Sequence, residues 1–147
     1  MKTTARLFLL ALIISLASCS KSNDDSVNPS SSNKTEQVKG NWTVTYYFDS
    51  GKDETSDFAG YQFTFNTNNE LLATNGSSSF TGSWRIGDNS SDDDNSSNRL
   101  VINITGNKAM DHLQDDWVII SLTASQIQLQ DDNPASMEEL HFGRTNQ

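Results

Sequence analysis

The chain has 147 residues, 10 basic and 19 acidic, which gives a formal net charge of −9. An acidic surface repels nucleic-acid backbones, whose binding rests on Lys and Arg neutralising phosphates, and it argues against attachment to anionic lipid through basic patches. Cys19 is the sole cysteine, so an intrachain disulfide is excluded and the fold must be held by packing.

Lys2 and Arg6 form a short basic start, and Leu7 to Leu16 is an almost unbroken apolar run. The run is too short to cross a bilayer as a stable helix and has the length of a secretory signal core. It ends in Leu16-Ala17-Ser18-Cys19, which resembles a bacterial lipobox: an aliphatic residue, two small residues, then the cysteine that is lipidated. The resemblance implies a lipoprotein signal peptide over residues 1–18 and lipidation of Cys19 as the new N-terminus. Loss of residues 1–18 removes two basic residues and no acid, leaving 8 basic against 19 acidic and a net charge of −11. Acylation at Cys19, with palmitate-type chains on glycerol and amine, exceeds the two-chain threshold for stable membrane anchoring. The implied location is the outer membrane, facing either the periplasm or the cell surface. Lys21 followed by Asp24 and Asp25 is similar to the short signal that carries some lipoproteins of Bacteroidota to the surface.

Residues 19–38 read as a flexible linker, because residues 20–37 hold only Val27 as an apolar side chain and cannot offset their ordering entropy. The remainder, residues 39–147, is one domain with about enough chain for a single core.

Within it the hydrophobic period is two almost throughout, which predicts strands. Trp42, Val44, Tyr46 and Phe48 share one face of the first, and Tyr61, Phe63 and Phe65 one face of the second. A short third strand surrounds Leu71 to Thr74. Phe80, Gly82, Trp84 and Ile86 form the inward face of a fourth, and Leu100, Ile102 and Ile104 that of a fifth. Lys108 to Leu113 can make one turn of helix. Trp117 to Leu122, apolar on both faces except at Ser121, reads as a well-covered sixth strand. Ile127 and Leu129 alternate with glutamines in a seventh, and Leu140 and Phe142 with Glu139 and His141 in an eighth. Eight short consecutive strands joined by Gly, Asn, Asp and Ser turns predict an all-β domain that closes on itself or folds into two sheets.

Gly40-Asn41-Trp42 at the start of the first strand resembles the Gly-x-Trp signature of lipocalins. Gly82-Ser83-Trp84, the strand opening at Trp117 and the ending Leu140-His141-Phe142-Gly143-Arg144 are similar to the lipocalin-like domains of Bacteroidota lipoproteins. The resemblance implies an eight-stranded antiparallel up-and-down β-barrel, lipocalin-like, with Trp42 as a plug at the closed end and Arg144 lying across its ring. It also implies non-enzymatic binding of a small hydrophobic or aromatic ligand. The chain is shorter than most true lipocalins and lacks a long C-terminal helix pattern, which weighs against a roomy cup.

The candidate lining of a ligand pocket is Tyr46, Phe48, Tyr61, Phe63, Phe65, Phe80, Trp84 and Trp117. An eight-stranded barrel can instead fill with its own side chains, and its outside then contacts another cell-envelope protein or a glycan. Phe58, in the loop from Asp49 to Ala59, reads as a local packing anchor. Asp88, Ser90, Asp92 and Asp94 alternate as in a calcium loop. However, the sixth position lacks Gly and Arg99 stands where a bidentate Glu is required, so the segment reads as a solvated acidic loop. His112 and His141 lie in different elements, without HExxH, Cys-His or triad spacing, so neither a catalytic set, a metal site nor a cofactor is expected.

Overall fold

A computed structural model describes residues 31–87, 98–133 and 135–145. The expected signal peptide, Cys19, the first part of the expected linker and most of the acidic 87–98 loop lie outside the described residues. Eight strands wind up and down in sequence order: β1 (Gly40–Asp49), β3 (Gln62–Phe65), β4 (Glu70–Thr74), β5 (Ser79–Ile86), β6 (Arg99–Asn103), β7 (Asp115–Leu122), β8 (Gln126–Gln130) and β9 (Glu139–Arg144). Each pairs antiparallel with the next, and β9 pairs back onto β1, so the sheet closes into a barrel. Closure leaves no free edge among these eight strands except along β1 beyond Trp42, where β3 ends.

A two-residue strand β2 (Lys52–Asp53) folds back on the end of β1, through a turn in which Ser50 (φ 49°) and Gly51 (φ 86°) both take the left-handed backbone. That pair of positive angles is the turn that matches strand twist. A 3₁₀ turn follows (Thr55–Phe58), tied to β1 by the bonds Glu54 N to Tyr47 O and Tyr47 N to Thr55 Oγ1. This segment replaces β3 as the partner of the upper half of β1, since β3 pairs only with Gly40 to Trp42.

The alternation expected along β1 holds only halfway. The register against β9 slips between Val44 and Tyr46, a β-bulge with Thr45 as the extra residue. From there the phase inverts: Tyr47 is fully buried, while Tyr46 and Phe48 stand on the outer wall, half-buried. Their assignment to the barrel lining is corrected by this bulge. On β7, alternation from buried Trp117 and Ile119 leaves Ile120 outside at 59% exposure, and a second slip there, between Ile119 and Ser121 against β8, makes it the unpaired extra residue. That strand is therefore covered on one face, where the sequence predicts cover on both.

The linker expectation is corrected over residues 31–38, which form helix α1 (Ser31–Val38). Its own composition is too polar to order it; docking does so. Val38 is fully buried, and its carbonyl accepts a 2.7 Å bond from Trp42 Nε1. Arg144 donates to the carbonyls of Gln37 and Lys39 at 2.7 and 3.1 Å, supplying a cation where helix carbonyls lack partners. Lys34 is nearly buried and bonds Asn98 Oδ1 at 2.9 Å.

Both barrel ends are stoppered. At the end where β1 begins, Trp42 lies within the barrel, the Arg144 guanidinium sits 4.1 Å from its ring centroid, and α1 covers them. At the opposite end, helix α2 (Lys108–Asp111), capped by Asn107 accepting from Met110 N, inserts Ala109 and Met110, and Leu113 and Phe58 close in beside them. Phe58 packs 5.2 Å from Tyr47 and 6.4 Å from Phe63, as a packing anchor does.

Candidate functional site

Six of the eight residues expected to line a pocket point into the barrel. Phe63, Phe65, Trp84 and Trp117 keep 0, 1, 2 and 0% exposure; Tyr61 is buried near the rim and Phe80 partly so. A wall residue facing a hollow wide enough for water retains surface that water can touch, and these four retain almost none. The rings meet each other instead. Phe63 and Phe65 approach Phe142 edge-on at 5.6 and 5.7 Å, and Phe65 meets Trp84 at 5.5 Å, within the favourable range for aromatic pairs. Their polar atoms are also spent internally. Trp84 Nε1 donates to Asn66 O at 3.1 Å, Trp117 Nε1 to Leu113 O at 2.9 Å, and Asn107 donates to the Tyr61 hydroxyl at 2.9 Å. These residues form a close-packed core.

Above the stopper, where a lipocalin cup would open, the rim gathers charged side chains from distant elements. Tyr47, inverted inward by the bulge, donates its phenolic proton to Glu138 Oε1 and lies 2.8 Å from His112 Nδ1. With that proton committed to Glu138, the Nδ1–H of His112 donates to the phenol oxygen. Asp49 and Glu54 stand 3.8 and 3.9 Å from the same nitrogen. Burial first, then the bond to Glu138 and the surrounding negative charge, push the Tyr47 phenol far above its ordinary range. Burial also raises Glu138, against the Tyr47 bond that lowers it, and Asp49, Asp131 and Asp115 raise it further. Asp115 is raised mainly by burial and by its acidic neighbours Asp131 and Asp132. Glu54 moves the other way, to about 2, because Lys52 (2.5 Å) and Lys108 (3.1 Å) bond its carboxylate.

Asp49, His112 and Glu138 each offer a ligand atom within 4.8 Å of the others, as do Asp115, Asp131 and Glu138. The Tyr47 hydroxyl bonds both His112 and Glu138 in the first group, so a hydrogen-bond relay accounts for their convergence without an ion. Nothing in the sequence pattern marks this rim, because its members lie far apart along the chain. His112 was visible only as an isolated histidine among acids.

A cleft of about 410 Å³ opens where β1 and β3 part, between β1 and the 3₁₀ turn, with Val44, Phe58 and Tyr61 among its walls. A second, of about 270 Å³, lies on the outer wall over β7, β8 and β9.

No family model and no curated protein matches the chain. Solved structures do. A lipocalin-like protein from Bacteroides uniformis superposes with a TM-score of 0.51 at 14% identity, over 74% of this chain and 99% of that one. The fold is lipocalin-like. A DUF4847 family protein from Bacteroides vulgatus matches with a TM-score of 0.53 at 12% identity, covering 76% of this chain and 98% of that one. At such identities the likeness carries the barrel architecture and nothing about ligands.

Proposed function

We propose that the protein is a non-catalytic accessory lipoprotein of the outer membrane, anchored through Cys19, whose filled lipocalin-like barrel is a scaffold for outer surfaces that contact another envelope component. The observation that carries this reading is the 0–2% exposure of Phe63, Phe65, Trp84 and Trp117, the rings that a cup would have to present to a ligand. A hydrophobic fluorescent probe titrated into the folded protein should give no saturable quenching of tryptophan emission. The three tryptophans all lie in the core, so a probe entering the barrel would report directly. Single-site binding abolished by Phe63→Ser in a folded variant would overturn the filled-barrel reading.

The cleft between β1 and the 3₁₀ turn favours a second reading, in which a small apolar ligand rests against Phe58, Tyr61 and Val44 rather than inside the barrel. Its volume falls within the range of small-molecule sites. The same titration separates the two: saturable binding lost on Val44→Asp and retained on Phe63→Ser would select the cleft.

A further inference from the structure

We infer that the outer wall formed by β1, β9, β8 and β7 is a binding platform for a neutral polysaccharide. The inference rests on the filled-barrel reading and names the partner class that its outside would contact.

The β-bulge in β1 and the outward aromatic and apolar side chains around it point to this wall. Bulges re-aim side chains that strict alternation would send elsewhere. Here one lies in β1 and the other in β7, the two strands flanking the β9–β8 pair. The first turns Tyr46 and Phe48 outward; at the second, Ile120, already outward by alternation from buried Trp117 and Ile119, is the unpaired extra residue and stands at 59% exposure. Both borders therefore present apolar side chains to the same stretch of wall, one of them because of its bulge. Between these borders the register aligns two cross-strand rows. Tyr46 stands opposite His141, which stands opposite Gln128; Phe48 stands opposite Glu139, which stands opposite Gln130. The Tyr46 and Phe48 rings lie 6.3 Å apart and within 9° of parallel, and Tyr46 lies 5.1 Å from the His141 ring. The cleft of about 270 Å³ begins beside them, bounded by Ile120, both glutamines, Glu139 and His141.

The chemistry of this surface selects its occupant. An apolar partner, lipid or protein, would cover two glutamine amides and a carboxylate without bonding them, and leaving buried polar groups unpaired weakens binding. An anionic partner finds no Lys or Arg in either row, and it meets Glu139 on a chain already at −9. A sugar chain satisfies both halves. Its C–H faces lie against parallel rings and Ile120, while its hydroxyls donate to Glu139 and both donate to and accept from the glutamine amides.

The test is affinity electrophoresis of the full chain in mild non-ionic detergent, through native gels cast with neutral polysaccharides (xylan, galactomannan, laminarin, dextran) or acidic ones (alginate, polygalacturonate). At least one neutral polymer should retard the protein saturably, and the acidic ones should not. Tyr46→Ala and Phe48→Ala should each weaken retardation about tenfold, the usual effect of losing an aromatic anchor. Gln128→Ala, which trims only an outward amide, should weaken it by about fivefold or less, and it keeps the test intact if an aromatic variant fails to fold. Each folded variant should keep the wild-type unfolding midpoint to within a few degrees. The inference is overturned by no retardation in any neutral gel, by stronger retardation in the acidic gels, or by retardation indifferent to all folded variants. A probe titration that stays flat while these gels fail would leave the accessory reading standing and remove the saccharide. Saturable probe binding inside the barrel would remove the accessory reading itself.

Discussion

Glu138 sits where burial and charge oppose each other most. Its carboxylate is half-withdrawn from water among Asp49, Asp115 and Asp131, and the Tyr47 hydroxyl offsets only part of that. The native state therefore holds a proton on Glu138 above its ordinary value of 4.5, while the unfolded chain releases it there. Between 4.5 and the raised native value the folded state binds more protons, so this group's contribution to stability falls as pH rises through that window and is constant above it. Glu54 has the opposite sign. Held down to about 2 by Lys52 and Lys108, it stabilises above 4.5 and loses that contribution as pH falls toward 2. Glu138→Gln keeps an oxygen to accept from Tyr47 and removes the charge. Its thermal midpoint should match wild type near pH 4, about where an ordinary carboxylate half-titrates, exceed it increasingly as pH rises through that window, and then stay above it by a constant margin. Melting curves across that range check this, and a difference that does not grow with pH would show that Glu138 carries no such penalty. The rim that creates this environment was illegible in the sequence for a physical reason. Tyr47 looked like an outward residue between two inward aromatics, and only the bulge at Thr45 brings it to His112 and Glu138.

At the level of elements, strand order and strand positions were legible because inward residues recur at period two wherever one face is buried. The bulges were not, because Tyr46, Tyr47 and Phe48 are all aromatic and a run of rings carries no phase. Helix α1 was illegible for a different reason. Its order comes from Trp42 and Arg144, which bond its C-terminal carbonyls, and not from its own polar residues. The Trp42–Arg144 contact itself was anticipated by the lipocalin resemblance, and the guanidinium does more than cover the indole: it also donates to Ala124 O at 2.6 Å. One side chain thus ties α1, β9 and the β7–β8 turn. Arg144→Ala should destabilise the fold by about 2 to 4 kcal/mol, from lost charge-assisted hydrogen bonds and cation–π contact. Hydrogen exchange distinguishes the tie from general loosening. Amides of residues 35–39 should lose protection in the variant while those of β4 and β5 retain most of theirs. Equal loss everywhere would mean that α1 is held by something other than Arg144.

At the scale of the whole molecule, the position of α1 bears on how the barrel would meet a membrane under the proposed anchoring. The helix lies over the closed end, so the chain that leads back toward Cys19 departs from there, and the rim with β2, the 3₁₀ turn and α2 is at the opposite end. An anchor on that chain would leave the rim and the aromatic wall clear of the bilayer. Among the described residues no helix is long and apolar enough to cross a membrane, and a net charge of −9 disfavours electrostatic adhesion to anionic lipid. Under the proposed anchoring, membrane association should depend on acyl chains at Cys19, each buried methylene contributing about 0.8 kcal/mol. Cys19→Ser, expressed in a Gram-negative host with the signal sequence intact, should move the protein from the detergent phase to the aqueous phase on Triton X-114 partitioning. Its unfolding midpoint should be unchanged, because the core from Val38 to Phe142 does not involve the anchor. If the variant still partitions with detergent while remaining folded, the lipid anchor is not what holds this barrel at a membrane, and the outer wall itself would have to be the adhesive surface.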